Sequence, residues 1–107
     1  MIVVTSPDVP GRRISKVLGL VRGNTIRARH LGRDIQAVFR NIAGGEVHEY
    51  TKMLAEAREQ AIDRMIDDAD ALGADAIIAA RFETCEVMKG AAEMLAYGTA
   101  VQLEPDA

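Results

Sequence analysis

The hydrophobic and polar positions of the chain follow the period of a strand at both ends and the period of a helix in the middle. Residues 2–5 are mostly β-branched and predict a strand, which ends at the proline-containing turn of residues 7–11. A second strand is predicted over residues 13–23. Both of its faces are apolar: one face carries Ile14, Leu18 and Leu20, and the other carries Val17, Gly19 and Val21.

Two helices are predicted in the middle of the chain. Apolar residues recur at helical spacing over residues 31–43, and Gly44-Gly45 ends this short helix because glycine readily adopts the left-handed conformation of a helix terminus. A long helix is predicted over residues 46–72, where the apolar positions follow one face and Gly73 provides the stop. The acidic residues of this helix follow the opposite face, which predicts a solvated surface.

Two further strands, over residues 76–87 and 94–103, are predicted to close the fold and to be joined by a hairpin loop over residues 88–91. The element order is therefore β-β-α-α-β-β. This order predicts an α+β fold, in which one long and one short helix pack on one face of a mostly antiparallel four-stranded sheet. The whole chain, residues 1–107, is expected to form one domain.

The apolar patterning also predicts a partner. Two helices cover only one face of a four-stranded sheet, and an antiparallel sheet with a free face normally alternates apolar with polar residues. The second strand instead has apolar residues on both faces. Because most soluble oligomers are closed homo-oligomers, we expect a second copy of the same chain to cover the remaining face.

Composition and charge restrict the setting of the protein. The 107 residues include a single cysteine, which excludes an intramolecular disulfide and suits a reducing compartment. No apolar run is long enough to span a bilayer, and the first residues do not resemble a signal peptide, so we expect a cytoplasmic protein without a membrane partner.

The charges are distributed unevenly along the chain. Residues 1–45 contain eight Lys or Arg and two acids, whereas the remaining residues contain five basic and fourteen acidic side chains. A basic segment favours phosphate binding, but single-stranded nucleic acid is also bound by stacking aromatic residues. None occurs before Phe39. The pattern therefore does not favour a nucleic-acid partner, and the charges are interpreted as solvated surface or as contacts between subunits.

Six short motifs occur in order and span nearly the whole chain: Leu18–Gly23, Arg33-Asp34, Gly44-Gly45 with Tyr50, Ala57–Glu59, Leu72–Ile77 and Gly98–Val101. Together they resemble the motifs of the YbjQ-like family, which comprises small uncharacterised prokaryotic proteins, sometimes labelled as heavy-metal-binding. The resemblance implies a dodecin-like α+β subunit that assembles into a ring of five copies.

The metal label can be compared with the residues that are present. A soft-metal site needs thiolates or imidazoles at ligand spacing, and no two of Cys85, His30 and His48 are close in sequence. A complete ligand set would need one ligand from each of several subunits around a symmetry axis. Cys85, with Glu83 on the same strand face, is the candidate for that role. A lone strand cysteine is more often a small buried hydrophobe. The sequence does not identify a cofactor.

Motifs for catalysis are missing from the sequence. Neither serine lies in a G-x-S-x-G turn, and no glycine-rich phosphate loop occurs. The sequence therefore favours a non-enzymatic, ring-forming homo-oligomer that binds a small ligand or ion between subunits. The alternatives are a heavy-metal-binding protein and an enzyme whose active site is built between subunits. Candidate ligand or interface residues are Arg33, Asp34, His48 and Tyr50.

Overall fold

The computed structural model describes residues 1–28, 46–88 and 91–105, and the side chains of residues 27–28, 46–51 and 87–88 are outside that description. Four strands and one helix occupy the described residues. In chain order they are β1 (Ile2–Val3), β2 (Ile14–Ala28), α1 (Glu46–Ala71), β3 (Ala76–Met88) and β4 (Ala91–Leu103).

The strands form one mixed sheet in the order β1-β3-β4-β2. β1 runs parallel to β3, whereas β4 is antiparallel to both β3 and β2. The pairing of Met88 with Ala91 places the ends of β3 and β4 together, as the predicted hairpin requires. β2 therefore forms one edge of the sheet, although it comes second in the sequence.

The fold class predicted from the sequence is wrong in its arrangement. The protein is α+β, but its sheet is mixed, and its described part contains one helix rather than the two of the β-β-α-α-β-β order. The short helix predicted over residues 31–43 lies outside the described residues. The parallel pairing of β1 with β3 was not predicted, because β1 consists only of Ile2 and Val3. Two residues do not indicate the direction of the neighbouring strand. The expected ring finds no support in the described structure.

Helix α1 packs against the sheet through a row of small side chains. Ala57, Ala61, Met65 and Ala69 recur every four residues and are buried against Val21 of β2 and the alanines of β4. Such a row at helical spacing forms one face of the helix. Because three of the four side chains are alanine, the helix backbone approaches the sheet closely.

The close approach requires a glycine on β2. A Cβ atom on Gly23 would overlap the carbonyl oxygen of Ala61 and the amide nitrogen of Met65. Next along the same face, the hydroxyl of Thr25 donates a hydrogen bond of 2.9 Å to the carbonyl of Ala57. Gly23 and Thr25 therefore fix where the helix crosses β2.

The helix ends as its sequence predicts. Gly73 has a φ of +77°, the amide of Gly73 donates to Asp70, and the amide of Ala74 donates to Ala69. This is the double hydrogen bond with which a left-handed glycine commonly closes a helix. The predicted helix over residues 46–72 is thus confirmed to within one residue.

Candidate functional site

The sheet face that points away from α1 is the main candidate surface, and we call it the open face. Residues directly opposite each other in an antiparallel pair share a face. From the strand register, the open face contains Val17, Leu20, Arg22, Asn24 and Ile26 of β2, Arg81, Glu83 and Cys85 of β3, and Glu93, Leu95, Tyr97 and Thr99 of β4.

Three large apolar side chains of β2 are exposed on the open face. Val17, Leu20 and Ile26 have exposed fractions of 62%, 67% and 58%. Leu95 and Tyr97 of β4 lie beside them and are only half-buried. This part of the open face therefore presents several large apolar side chains that no described part of the same chain covers.

One end of the same face is covered by the N-terminal segment, residues 4–14. There Val9, Ile78, Val101 and Leu103 form a buried cluster, with Val4 and Ile14 packed against it. The segment is held by backbone hydrogen bonds, including those from the amide of Val4 to Ile77 and from the amide of Ala79 to Ser6. The apolar residues of this face are buried where the N-terminal segment covers them, and they are exposed along the rest of the face.

The phase of β2 differs from the sequence prediction at Gly19. A register shift between Val17 and Gly19 places Val17 and Leu20 together on the open face, whereas Leu18 packs with the helix-side core. The prediction had placed Leu20 with Leu18. A glycine inside a strand is a recognised signal of a bulge, and that signal could have corrected the assignment. Ile26 was missed because the strand was predicted to end at Gly23.

Polar groups lie around the apolar residues of the open face. The side-chain amide of Asn24 donates to the carboxylate of Glu93 at 3.4 Å. The guanidinium of Arg81 donates to the carbonyls of Thr5 and Ala80 at 2.8 and 2.9 Å. Arg22 and Glu83 are exposed. Arg22 and Asn24 lie between Leu20 and Ile26 along β2, so polar and apolar side chains are interspersed on this face.

The metal candidates Cys85 and Glu83 do share the open face, as predicted. Cys85 is exposed and directly opposite Glu93 in the strand register, and its thiol contacts the backbone carbonyl of Glu86 at 3.8 Å. However, no group of three or more Cys, His, Asp or Glu side chains suited to a metal ion occurs among the described residues. A single subunit therefore does not present a heavy-metal site in the described part of the chain.

Among the described residues, the two serine hydroxyls and the Cys85 thiol give no sign of activation as nucleophiles. Ser6 donates to the carbonyl of Asp8 at 2.6 Å, and Ser15 donates to the carbonyl of Gln102 at 3.1 Å. An activated serine or cysteine instead has a general base within hydrogen-bond reach. In the described part of the chain, both serines and Cys85 are oriented toward backbone carbonyls.

The predicted ligand or interface residues are not brought together by the described structure. Arg33 and Asp34 lie outside the described residues. The backbone of His48 and Tyr50 belongs to the first turns of α1, but their side chains lie outside the description. The role of these four residues stays a prediction.

The exposed face of α1 carries a shallow acidic depression. Its lining consists of Ala55, Glu56, Glu59, Gln60 and Asp63. Acidic residues that recur at this spacing follow the solvent side of a helix, and no described third element closes over them. We assign no ligand to this depression.

No helix in the described part of the chain has the length and apolarity needed to cross a bilayer.

Comparison with known proteins shows one family over nearly the full length. The matching family model covers residues 1–104 and carries the description "Putative heavy-metal-binding". A UPF0145 protein of Clostridioides difficile is 61% identical over 99% of this chain and 95% of its own. A UPF0145 protein of Thermotoga maritima is 54% identical over 97% of this chain and 98% of its own.

A solved structure confirms the fold. The crystal structure of a protein of unknown function from Pediococcus pentosaceus superposes with a TM-score of 0.69, covering 97% of this chain and 98% of that one. Its sequence is 17% identical, so the similarity concerns the fold alone.

Proposed function

This chain belongs to the YbjQ-like family, and on that premise we propose that it is a non-enzymatic homo-oligomeric protein that binds a small ligand or ion where its subunits meet. The family is uncharacterised, so the proposal rests on the molecule itself. The observation that carries it is the exposed apolar surface of the open face.

The open face is difficult to explain as free surface. Val17, Leu20 and Ile26 are all more than half exposed, and they lie on one strand beside Leu95 and Tyr97. Single exposed apolar residues are ordinary, but a contiguous apolar patch with a polar surround marks an interaction surface. Burial of such side chains contributes about 1.5–3 kcal/mol each when they pass fully from water into an interior.

A second copy of the chain is the occupant that the face favours. Closed homo-oligomers are the commonest soluble assemblies, and in a ring the patch of each copy is covered by a different surface of its neighbour. The covered end of the face supports this interpretation. There the N-terminal segment packs over Ile78 and Val101, so part of this face is already core within a single subunit. Five copies is the subunit number that we expect from the family resemblance.

The interface is also the place where we expect a ligand. Within one subunit, the described residues offer neither a metal-type cluster nor an activated nucleophile. Arg22 and Glu83 lie exposed on the open face and would be brought near a neighbouring subunit by the proposed contact. Arg33, Asp34, His48 and Tyr50 complete the set of candidate residues.

Replacing Leu20 and Ile26 with glutamate tests the proposal. Buried charge without a partner is strongly unfavourable, so the double variant Leu20→Glu/Ile26→Glu should have a smaller assembly mass than the wild-type protein. Native mass spectrometry of protein purified without chelator measures this mass and any retained ligand together. Circular dichroism confirms that the variant remains folded.

Phe82→Glu is the matched control. Phe82 is a large apolar residue with 50% exposure, but it pairs with Ala96 and therefore lies on the helix side of the sheet. This variant should assemble as the wild-type protein does. A monomeric wild-type protein, or a double variant with unchanged assembly mass, would refute the proposal.

A further inference from the structure

Heavy-metal binding requires soft ligands, and this chain contains very few. The sequence has one cysteine and two histidines in all. Structural zinc sites use four Cys or His ligands, and catalytic zinc sites generally use three protein ligands. One subunit therefore cannot supply a four-ligand thiolate–imidazole set, even if all three residues were to meet.

The surroundings of Cys85 do not supply the missing ligands. Its cross-strand neighbour is Glu93, whose carboxylate accepts a hydrogen bond from the amide of Asn24. Glu83 lies two residues away along the same strand, a separation of about 7 Å in an extended chain. Ligand atoms around a zinc ion lie only about 2.0–2.3 Å from the metal, so a site needs their convergence. No such group occurs in the described part of the chain.

We infer that the heavy-metal-binding description of the family does not extend to this chain, and that Cys85 is a free thiol rather than a metal ligand. The inference goes beyond the proposed function and stands without it. It also restricts the interface ligand to a molecule or ion that needs neither thiolate nor a cluster of imidazoles.

The test measures metal content and thiol state on the full-length protein in its native assembly. Protein from cells grown with added zinc and copper is purified without chelator, and its metals are quantified by mass spectrometry. Cadmium is then titrated while the ultraviolet charge-transfer band of cadmium–thiolate bonds is followed. We expect sub-stoichiometric metal that is the same in wild type and Cys85→Ser, no cadmium–thiolate band, and one free thiol per subunit when the protein is unfolded in denaturant.

Two results would overturn the inference. One is metal in a fixed ratio to subunits that disappears in Cys85→Ser, which would show a site built from cysteines of several subunits. The other is stoichiometric metal that survives Cys85→Ser but is lost in His30→Ala or His48→Ala. Assembly mass is measured on the same samples, so a failed assembly proposal and a failed metal inference are distinguished.

Discussion

The hydroxyl of Thr25 donates a hydrogen bond of 2.9 Å to the carbonyl of Ala57, which joins the edge strand β2 to helix α1 inside the core. Thr25 is only 3% exposed and is the one buried polar residue among the described side chains. A buried hydroxyl without a partner would be costly, so this bond allows a polar residue to remain in an otherwise apolar contact. It also fixes the helix to one place along the strand.

Replacing Thr25 with valine removes this bond but keeps the shape of the side chain. The Ala57 carbonyl lies within a helix, so it keeps its place in the backbone hydrogen bonding. We expect Thr25→Val to lower the free energy of unfolding by about 1 kcal/mol. Urea unfolding at a fixed subunit concentration measures the change, since an oligomer's stability depends on concentration. Thr99→Val, on the opposite face of the sheet, should change stability less, and an equal loss would contradict this role of Thr25.

Gly23 should not tolerate even one added methyl group. A Cβ atom there would overlap backbone atoms of Ala61 and Met65, and backbone cannot move aside as the end of a side chain can. We expect Gly23→Ala to cost about 3 kcal/mol of stability, measured by thermal or urea unfolding. Asn24→Ala is the matched control, because Asn24 is the next residue and lies on the open face. A Gly23→Ala protein as stable as this control would show that the helix can shift.

Ala79 has a φ of +53°, the left-handed region that only glycine enters freely. Its amide donates to Ser6 at 2.8 Å, which holds the strained conformation in place. We expect Ala79→Gly to raise the free energy of unfolding by about 1 kcal/mol, since relief of strain exceeds the entropy cost of glycine.

The neighbouring Ala80 provides the control for that substitution. Ala80 is buried in the helix-side core and is not among the residues with positive φ. Ala80→Gly should therefore lower stability by about 1 kcal/mol, because only the entropy cost and the lost methyl remain. If both glycine variants changed the free energy of unfolding in the same direction, the result would contradict backbone strain at Ala79.

Arg81 fastens the N-terminal segment to β3. Its guanidinium donates to the carbonyls of Thr5 and Ala80, and the amides of Ala79 and Ala80 donate to Ser6 and Val4. Arg81→Ala should let this segment open more often, so exchange of those two amides should become about fivefold faster. Hydrogen exchange by mass spectrometry measures the rate. Arg22 is an exposed arginine on the edge strand β2, so Arg22→Ala should leave this exchange rate unchanged.

The elements with strong local signals could be predicted from the sequence. Helix α1 follows from its apolar row and from Gly73, and β3 and β4 follow from their β-branched and alternating residues. In each case the decisive information lies within a few residues of the element itself. The open face was also anticipated in general terms, because β2 has apolar residues on both sides.

Features set by distant residues could not be predicted in the same way. The direction of β1 depends on its pairing with Ala76 and Ile77, more than seventy residues away along the chain. The extension of β2 to Ala28 depends on pairing with β4, since Asn24 and Ala28 are depleted in strands. The same limit applies to the two sides of β3. Strict alternation along β3 would place Ile78 and Phe82 on one face, but Ile78 belongs to the cluster under the N-terminal segment.

The bulge in β3 explains that last difference and has a consequence for how this sequence can change length. Ala79 and Ala80 together face Gly98, where a Cβ atom would come within 2.6 Å of the Ile77 side chain. Deleting one of the two alanines would restore one-to-one pairing, and every later residue of β3 would keep its partner on β4 and therefore its face. Glu83 and Cys85 would stay on the open face, and Phe82 would stay on the helix side. The strand can therefore lose one residue at this position without changing the surface that its later part presents.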